Sequence, residues 1–227
     1  MAVKTLALIH TVSWYQKVIN APFAEPWLKA NPNFRVFNIM DDSLLHESLV
    51  HGSATPAVLK RLQFYVLAAE SMGADVAMIT CTTVGEASRI ARRYASIPVF
   101  NIDEPMAHEA VRLGRKMGIV ATVPTSPAAT QRLLEHAASE AGVSIDVRIA
   151  VNQQAFDYLQ KGDVARHDEL VKEEMDRLAK EVDVLVLGQI SLAQVQHQTR
   201  VPILQVGHSG FAEAKRLLDL APGRPAD

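Results

Sequence analysis

The sequence predicts an α/β protein built from two pseudo-symmetric halves, each a parallel sheet with helices on its faces. Three observations predict it. Short apolar runs alternate with longer segments of helical periodicity. The runs are near-continuously apolar rather than alternating, the pattern of strands covered on both faces. The order of runs then repeats once along the chain, at a period of roughly 110 residues, too long for a solenoid.

In chain order the strands are expected at residues 5–9, 34–39, 76–80, 98–101, 117–121, 144–149, 184–187 and 202–206. Helical spacing is carried by Leu59, Leu62, Phe64, Val66 and Leu67, by Leu133, Leu134 and Ala137, and by Leu170, Met175 and Leu178. No linker rich in Gly, Ser or Pro separates the halves, and only residues 221–227 read as a frayed end. The halves are therefore placed at 1–112 and 113–227, with the C-terminal helix free to pack back on the first.

The repeat can be read residue by residue. Thr5-Leu6-Ala7-Leu8-Ile9-His10-Thr11 matches Lys116-Met117-Gly118-Ile119-Val120-Ala121-Thr122, and the run Asp75 to Cys81 matches Asp183 to Gln189. The segment around Pro98 matches that around Pro202. Such a chain is expected to face its two copies across a cleft. Ligands of open parallel sheets sit at the carboxyl ends of strands. Thr11, Cys81, Thr122 and Gln189 end their strands, so they are expected to line one site, with Gln189 as the mate of Cys81.

Composition narrows the function. Of 227 residues 48% are hydrophobic, enough for a sizeable core, and 23 basic against 25 acidic residues leave a formal charge of -2. That balance gives no reason to expect nucleic acid as a partner. No basic run and no apolar stretch of the roughly 20 residues a bilayer span needs points to a membrane, and the N-terminal apolar run is too short for a signal peptide. A single cysteine makes no intrachain disulfide and no multi-thiolate zinc site, and a reducing cytoplasm is its natural compartment. The sequence carries no Gly-x-Gly-x-x-Gly, phosphate-binding loop, His-Glu-x-x-His or Gly-x-Ser-x-Gly motif. No nucleotide, metal or flavin is indicated, and no cofactor is expected.

Cys81 stands where an apolar strand ends and a helical pattern begins, in Ile79-Thr80-Cys81-Thr82-Thr83-Val84-Gly85. Free N–H groups there favour thiolate, and the Thr82 and Thr83 hydroxyls can hold a carboxylate oxygen. The bland alternative is an inert buried thiol. Thr122, Thr125 and Ser126 put three hydroxyls before a helix, either as caps or as an anion site. Asp42 and Ser43 follow the second strand and read equally as a turn or as ligand contacts. Asp103-Glu104-Pro105 reads as a helix start, and residues 162–168 as a loop and cap. His10 and His208 end the first and last strands. Each is either a pocket acid/base or a hydrogen-bonded structural residue.

Together these residues resemble the aspartate/glutamate/hydantoin racemase superfamily, which includes arylmalonate decarboxylase and maleate isomerase. The resemblance spans nearly the whole chain. The family's Cys-Asn-Thr stretch is matched by Cys81-Thr82-Thr83, its Ala-Thr-x-x-Thr stretch by Ala121 to Thr125, and its Gly-Cys-Thr-His stretch by Gly188-Gln189-Ile190-Ser191. It implies a cofactor-free enzyme acting beside a carboxylate, with Cys81 as catalytic acid/base or nucleophile. His10, Thr11, Asp42, Ser43, Thr82, Thr83, Thr122, Thr125, Ser126, Gln189 and Ser191 would contact the substrate. A homo-oligomer, dimer or higher, is likewise implied. The departure is Gln189, where the family carries its second cysteine, because an amide does not titrate. One-sided proton chemistry is favoured: isomerisation, decarboxylation, or lyase or hydrolase cleavage. Two readings stay open beside it. One is a racemase using His10 or His208 as second acid/base. The other is a non-catalytic protein binding small carboxylates.

Overall fold

Runs of Val, Ile, Leu, Ala and Met form the centre of each sheet because such side chains pack on both faces of a pleated strand. The structure is a computed structural model that describes residues 3–124 and 126–222, with the side chains of all of these but Glu86 and Ala87. Its first sheet holds β1 (Lys4–His10), β2 (Phe34–Met40), β3 (Val76–Ile79) and β4 (Val99–Asn101), in the order β2-β1-β3-β4. The second holds β5 (Lys116–Ala121), β6 (Asp146–Val151), β7 (Val184–Leu187) and β8 (Ile203–Gln205), in the order β6-β5-β7-β8. Every pairing is parallel. The two halves thus share one topology, as the repeat predicts.

Burial on both faces holds for β3 and β7, whose residues are all buried. The outermost strands differ. Ile149 and Val151 of β6 are 44% and 40% exposed, and β2 alternates between half-buried and exposed positions. The outer strands are not alike, for β4 is buried throughout.

Register is set at the start of each central pair by an aspartate. The Asp75 backbone N–H donates to the Thr5 carbonyl (2.8 Å), and its carboxylate accepts the Thr5 N–H (2.7 Å). In the second sheet the Asp183 N–H donates to the Lys116 carbonyl (2.7 Å), while its carboxylate accepts the N–H groups of Lys116 and Arg115, each at 2.9 Å. Those two N–H groups hold the Asp183 carboxyl below its ordinary range. A backbone donor that would otherwise go unmet at the strand's end is satisfied in each case.

Nine helices are seen among the described residues: α1 (Glu25–Ala30), α2 (Ser43–His51), α3 (Pro56–Ser71), α4 (Gly85–Ala91), α5 (Glu104–Leu113), α6 (Ser126–Glu140), α7 (Gln153–Gln160), α8 (Val164–Leu178) and α9 (His208–Leu220). A π-helical stretch, Gln16–Ala24, leads into α1. Thr55, Asn152 and Asp163 cap α3, α7 and α8 through bonds from Val58 N, Ala155 N and Arg166 N. Residues 162–168 are therefore a loop and helix cap. In α3 the buried face is Val58, Leu62, Val66 and Ala69, and Phe64 and Leu67 point outward at 57% and 38% exposure. Their spacing from Leu62 and Val66 carries them around the helix, away from the sheet.

The chain packs as two units, Met1–Asp103 with Gly207–Asp227, and Glu104–Val206. The division falls after β4 rather than at 112. Helix α5 follows β4 but packs on β7 and β8, whereas α9 follows β8 and packs on β1 and β3. Each sheet thus takes one covering helix from beyond the last strand of the other. Among the described residues no helix is long and apolar enough to cross a membrane.

Gly188, directly after β7, has no room for a side chain, because a Cβ there would lie 2.1 Å from Thr130 Oγ1. Gly188→Ala is expected to destabilise the fold by about 1–3 kcal/mol through overpacking. In a Thr130→Ala background the same change should cost far less. Urea unfolding of the four proteins measures the coupling, and additive costs would show that the clash is not the cause.

Candidate active site

The carboxyl ends of β1, β3 and β4 bring a set of polar side chains together in the first unit. Cys81 follows β3 in extended conformation (φ -147°, ψ 117°) and opens a single 3-10 turn, Thr82–Val84, that runs into α4. Its side chain is half-buried against the core formed by residues such as Ile9, Leu44 and Ile79. Burial is the dominant influence on the thiol and raises its pKa, and the charge of Asp103 raises it further. The Thr11 hydroxyl and the N–H groups of Val84 and Thr83 pull the other way without reversing the shift. The expectation that a helix start would favour thiolate is therefore corrected. One 3-10 turn offers two N–H groups and little dipole, which is less than removal from water costs a thiolate.

Thr11 is 1% exposed, and its Oγ1 has no hydrogen-bond partner of good geometry among the described residues. Its hydroxyl acts on the nearby thiol in favour of the anion. Thr82 and Thr83 are half-buried beside it.

His10 is placed differently from the expectation of a substrate contact. It is fully buried, with Nδ1 2.9 Å from Thr80 Oγ1 and Nε2 2.8 Å from Asn38 Oδ1. The Tyr15 ring stacks on it at 4.1 Å. An amide oxygen only accepts, which assigns the ring proton to Nε2 and leaves Nδ1 to accept the Thr80 hydroxyl. Burial takes its pKa from 6.5 to about 4 against a smaller opposing effect of the Asn38 bond. His10 is thus a neutral residue with both nitrogens engaged, holding the ends of β1, β2 and β3 together.

Asp42 and Ser43 are exposed. The Ser43 hydroxyl donates to Asp41 Oδ1 (2.5 Å) and accepts from Arg61 Nη1 (2.5 Å), and Tyr65 donates to Asp41 Oδ2 (2.7 Å). Desolvation works against the Asp41 charge, but the bonds from Ser43 and Tyr65 and the Arg61 guanidinium outweigh it and keep the carboxyl below its usual range. Ser43 is committed to this turn. His208 is the exposed first residue of α9, edge-on to the Phe23 ring at 5.0 Å, and it belongs to the first unit.

Asn101 and Asp103, at the end of β4, are residues the sequence reading missed as site components. Both are buried, and Asn101 Nδ2 donates to Asp103 Oδ1 (2.6 Å) and to the Cys81 carbonyl (3.1 Å). A signal was present in the repeat. Asn101 pairs with Ile79 as Gln205 pairs with Leu187, and Gln205 likewise donates to carbonyls, those of Val195 (2.7 Å) and Leu192 (3.3 Å).

In the second unit Gln189 occupies the place equivalent to Cys81, extended (φ -90°, ψ 131°) and opening the 3-10 turn Ile190–Leu192. Its Oε1 accepts the Thr122 N–H (2.7 Å) and its Nε2 donates to the Thr122 hydroxyl (3.4 Å). Thr122 is fully buried, while Ser126 and Ser191 are half-buried. Thr125 lies outside the described residues. Among the described residues the His10, Asn38 and Thr80 cluster of the first unit has no counterpart here. Sheet register sets His10, Asn38 and Thr80 against Ala121, Ile149 and Gly188. Among the described residues no three His, Cys, Asp or Glu side chains group as metal ligands do.

The buried His10 generates a prediction. Its folded pKa lies below its unfolded one, so between pH 6.5 and 4 the unfolded chain binds the extra proton and stability falls with pH. From pH 7 to pH 4 the protein should lose on the order of 3 kcal/mol more stability than His10→Gln, by urea unfolding at each pH. Equal losses would mean that His10 is not held neutral.

A comparison with curated proteins gives no match. Among solved structures the chain resembles an aspartate racemase homologue from Pyrococcus horikoshii, at 16% identity and TM-score 0.71, covering 95% of this chain and 99% of that one. Allantoin racemase from Klebsiella pneumoniae is similar at 20% identity and TM-score 0.67, over 96% and 88% of the two chains. A point mutant of arylmalonate decarboxylase in a sulfate-associated form follows the same fold at 18% identity and TM-score 0.58, over 98% and 97%. The family model for Asp/Glu/Hydantoin racemase matches residues 29–195, most of the length, and the chain therefore belongs to the Asp/Glu/hydantoin racemase family.

Proposed function

We propose that this protein is a cofactor-independent enzyme that delivers a proton to one face of a carbanion or enolate beside a carboxylate, with Cys81 as the proton donor. The observation that carries this reading is the state of the thiol. Burial holds Cys81 as S–H, whereas its topological mate Gln189 does not titrate and has its amide engaged by Thr122. A thiol held protonated gives up a proton more readily than it attacks as a nucleophile at neutral pH. The Thr11 hydroxyl, with those of Thr82 and Thr83, supplies donors for a carboxylate oxygen at the same strand ends.

Decarboxylation of a small malonate-type acid fits these parts. Carbon dioxide leaves with the C–C bond cleaved, the electron pair stays on the substrate as an enolate, and the Cys81 proton moves to carbon. Water returns a proton to the thiolate. Isomerisation or retro-aldol cleavage would use the same single protonation. A two-base racemase is less well supported, because His10 is neutral with both nitrogens bound.

The test is turnover of a panel of small dicarboxylates, amino acids and hydantoins in D₂O, followed by NMR and chiral analysis. One deuterium of single configuration is expected in the product. Cys81→Ser should lower the rate about 10²–10⁴-fold, the usual contribution of a positioned acid. Rapid inversion of aspartate or glutamate by the wild type would overturn the reading.

A further inference from the structure

We propose that the outer face of α3 is an interface between two copies of this chain, paired antiparallel about a two-fold axis that passes between Phe64 and Leu67. The inference is independent of the reaction at Cys81.

A surface helix ordinarily turns one apolar stripe to the core and a charged face to water. Helix α3 carries two apolar stripes. The inner one, Val58, Leu62, Val66 and Ala69, is buried. The exposed positions of the helix are Pro56, Ala57, Lys60, Phe64, Leu67 and Ser71, and Lys60 is the one charged residue among them. Arg61 is half-buried and paired with Asp41 and Glu47, so it adds no charge to that face. The long helices α8 and α9 are different. Arg166–Glu169 and Arg177–Glu174 pair along α8, and Lys215–Asp219 and Arg216–Glu213 along α9. From Ala57 onward the exposed positions of α3 recur at steps of three, four, three and four, the spacing at which one helix meets another. A contiguous apolar stripe left in water marks a surface for association.

The face is complementary to itself. Lys60 stands towards one end of the stripe, its ammonium 5.9 Å from the centre of the Phe64 ring, and Glu70 flanks the other end. An antiparallel pair centred between Phe64 and Leu67 sets Phe64 of each copy against Leu67 of the other. It also sets Lys60 of each beside Ser71 and Glu70 of the other. Opposite charges then meet at both ends, because every contact of an isologous interface occurs twice. A parallel pair would set Lys60 against Lys60. The ends are apolar as well. Leu49 and Val50 are exposed at the end of α2, shortly before α3 begins, and Met72 is exposed directly after α3 ends. The Ser96 N–H donates to Glu70 (3.2 Å), which holds the segment of the exposed Tyr94 near that same end. Helix α3 alone offers a strip about 24 Å long and about 10 Å wide, well short of the roughly 800 Å² per partner of a standard interface. The end residues add to it, and an association of micromolar strength is expected.

The experiment is sedimentation equilibrium of the full chain over a range of concentrations, with thermal unfolding to confirm that each variant is folded. Wild type should pass from monomer to dimer as its concentration rises. Phe64→Glu, at an exposed position, should raise the dissociation constant about thirtyfold or more, the effect of losing a central anchor. Lys60→Glu and Glu70→Lys should each weaken the dimer about tenfold, because each sets like charges together at both ends. The double variant Lys60→Glu/Glu70→Lys should return to within about threefold of the wild type. A wild type that stays monomeric at about 100 μM, well above the constant expected, overturns the proposal and leaves the face to a different protein. The proposal also fails if Phe64→Glu associates as the wild type does, in a dimer or a larger oligomer, or if the double variant stays as weak as the single ones. Should Glu70→Lys not fold, for want of the Ser96 bond, Lys60→Glu and Lys60→Gln decide instead: the Glu variant must be the weaker, and equal constants overturn the pairing. Sedimentation needs no substrate, so these outcomes are read separately from any failure to find turnover.

Discussion

The pairing of β1 with β3 supports everything at the candidate site. Asp75 locks that ladder at its start by taking the Thr5 N–H, and the ladder then runs in register from Leu6 opposite Val76 to Ile9 opposite Ile79. The next residues of each strand, His10 and Thr11 on one side and Thr80 and Cys81 on the other, are delivered side by side. A slip of one residue would turn each of these side chains to the opposite face. The His10 ring then ties the far end of the ladder to Thr80 and Asn38. The site is thus held between a carboxylate at one end of the sheet and a neutral imidazole at the other.

The same frame built twice has diverged in chemistry. Both units carry the aspartate clasp, the extended residue after the third strand of the repeat and the 3-10 turn that follows it. In the first unit the positions around that residue are His, Asn and Thr. In the second they are Ala, Ile and Gly, and Thr130 occupies the space a side chain at Gly188 would need. Gln189 turns its amide to the end of β5 and bonds Thr122 at two atoms. A topology shared by both units leaves a thiol after the third strand of one and an amide at the same place in the other.

Competition between solvation and local dipoles decides what Cys81 can do. Two backbone N–H groups and a hydroxyl favour its anion, and burial with Asp103 disfavours it more. The balance follows from how little helix stands behind the thiol: three residues in a 3-10 turn do not build the field of a long α-helix.

The alternation of apolar runs and helical spacing was enough, by itself, to determine the α/β class, the eight strands and the two-fold repeat, because period and burial pattern are local properties of a chain. The Asp-Val and Thr positions of the repeat also located both strand ends correctly, since a register shared by two copies leaves a trace in each. Three things were decided only by tertiary structure. The exchange of α5 and α9 between units depends on which sheet face each helix finds, and the helix sequence does not record that. The roles of His10 and Ser43 depended on partners far along the chain, Asn38 and Thr80 for one and Arg61 for the other. The state of Cys81 was misjudged from sequence for the same reason. Motif spacing reveals the N–H groups that follow a thiol, but its desolvation, and a carboxylate brought up from the end of another strand, exist only once the sheet has formed.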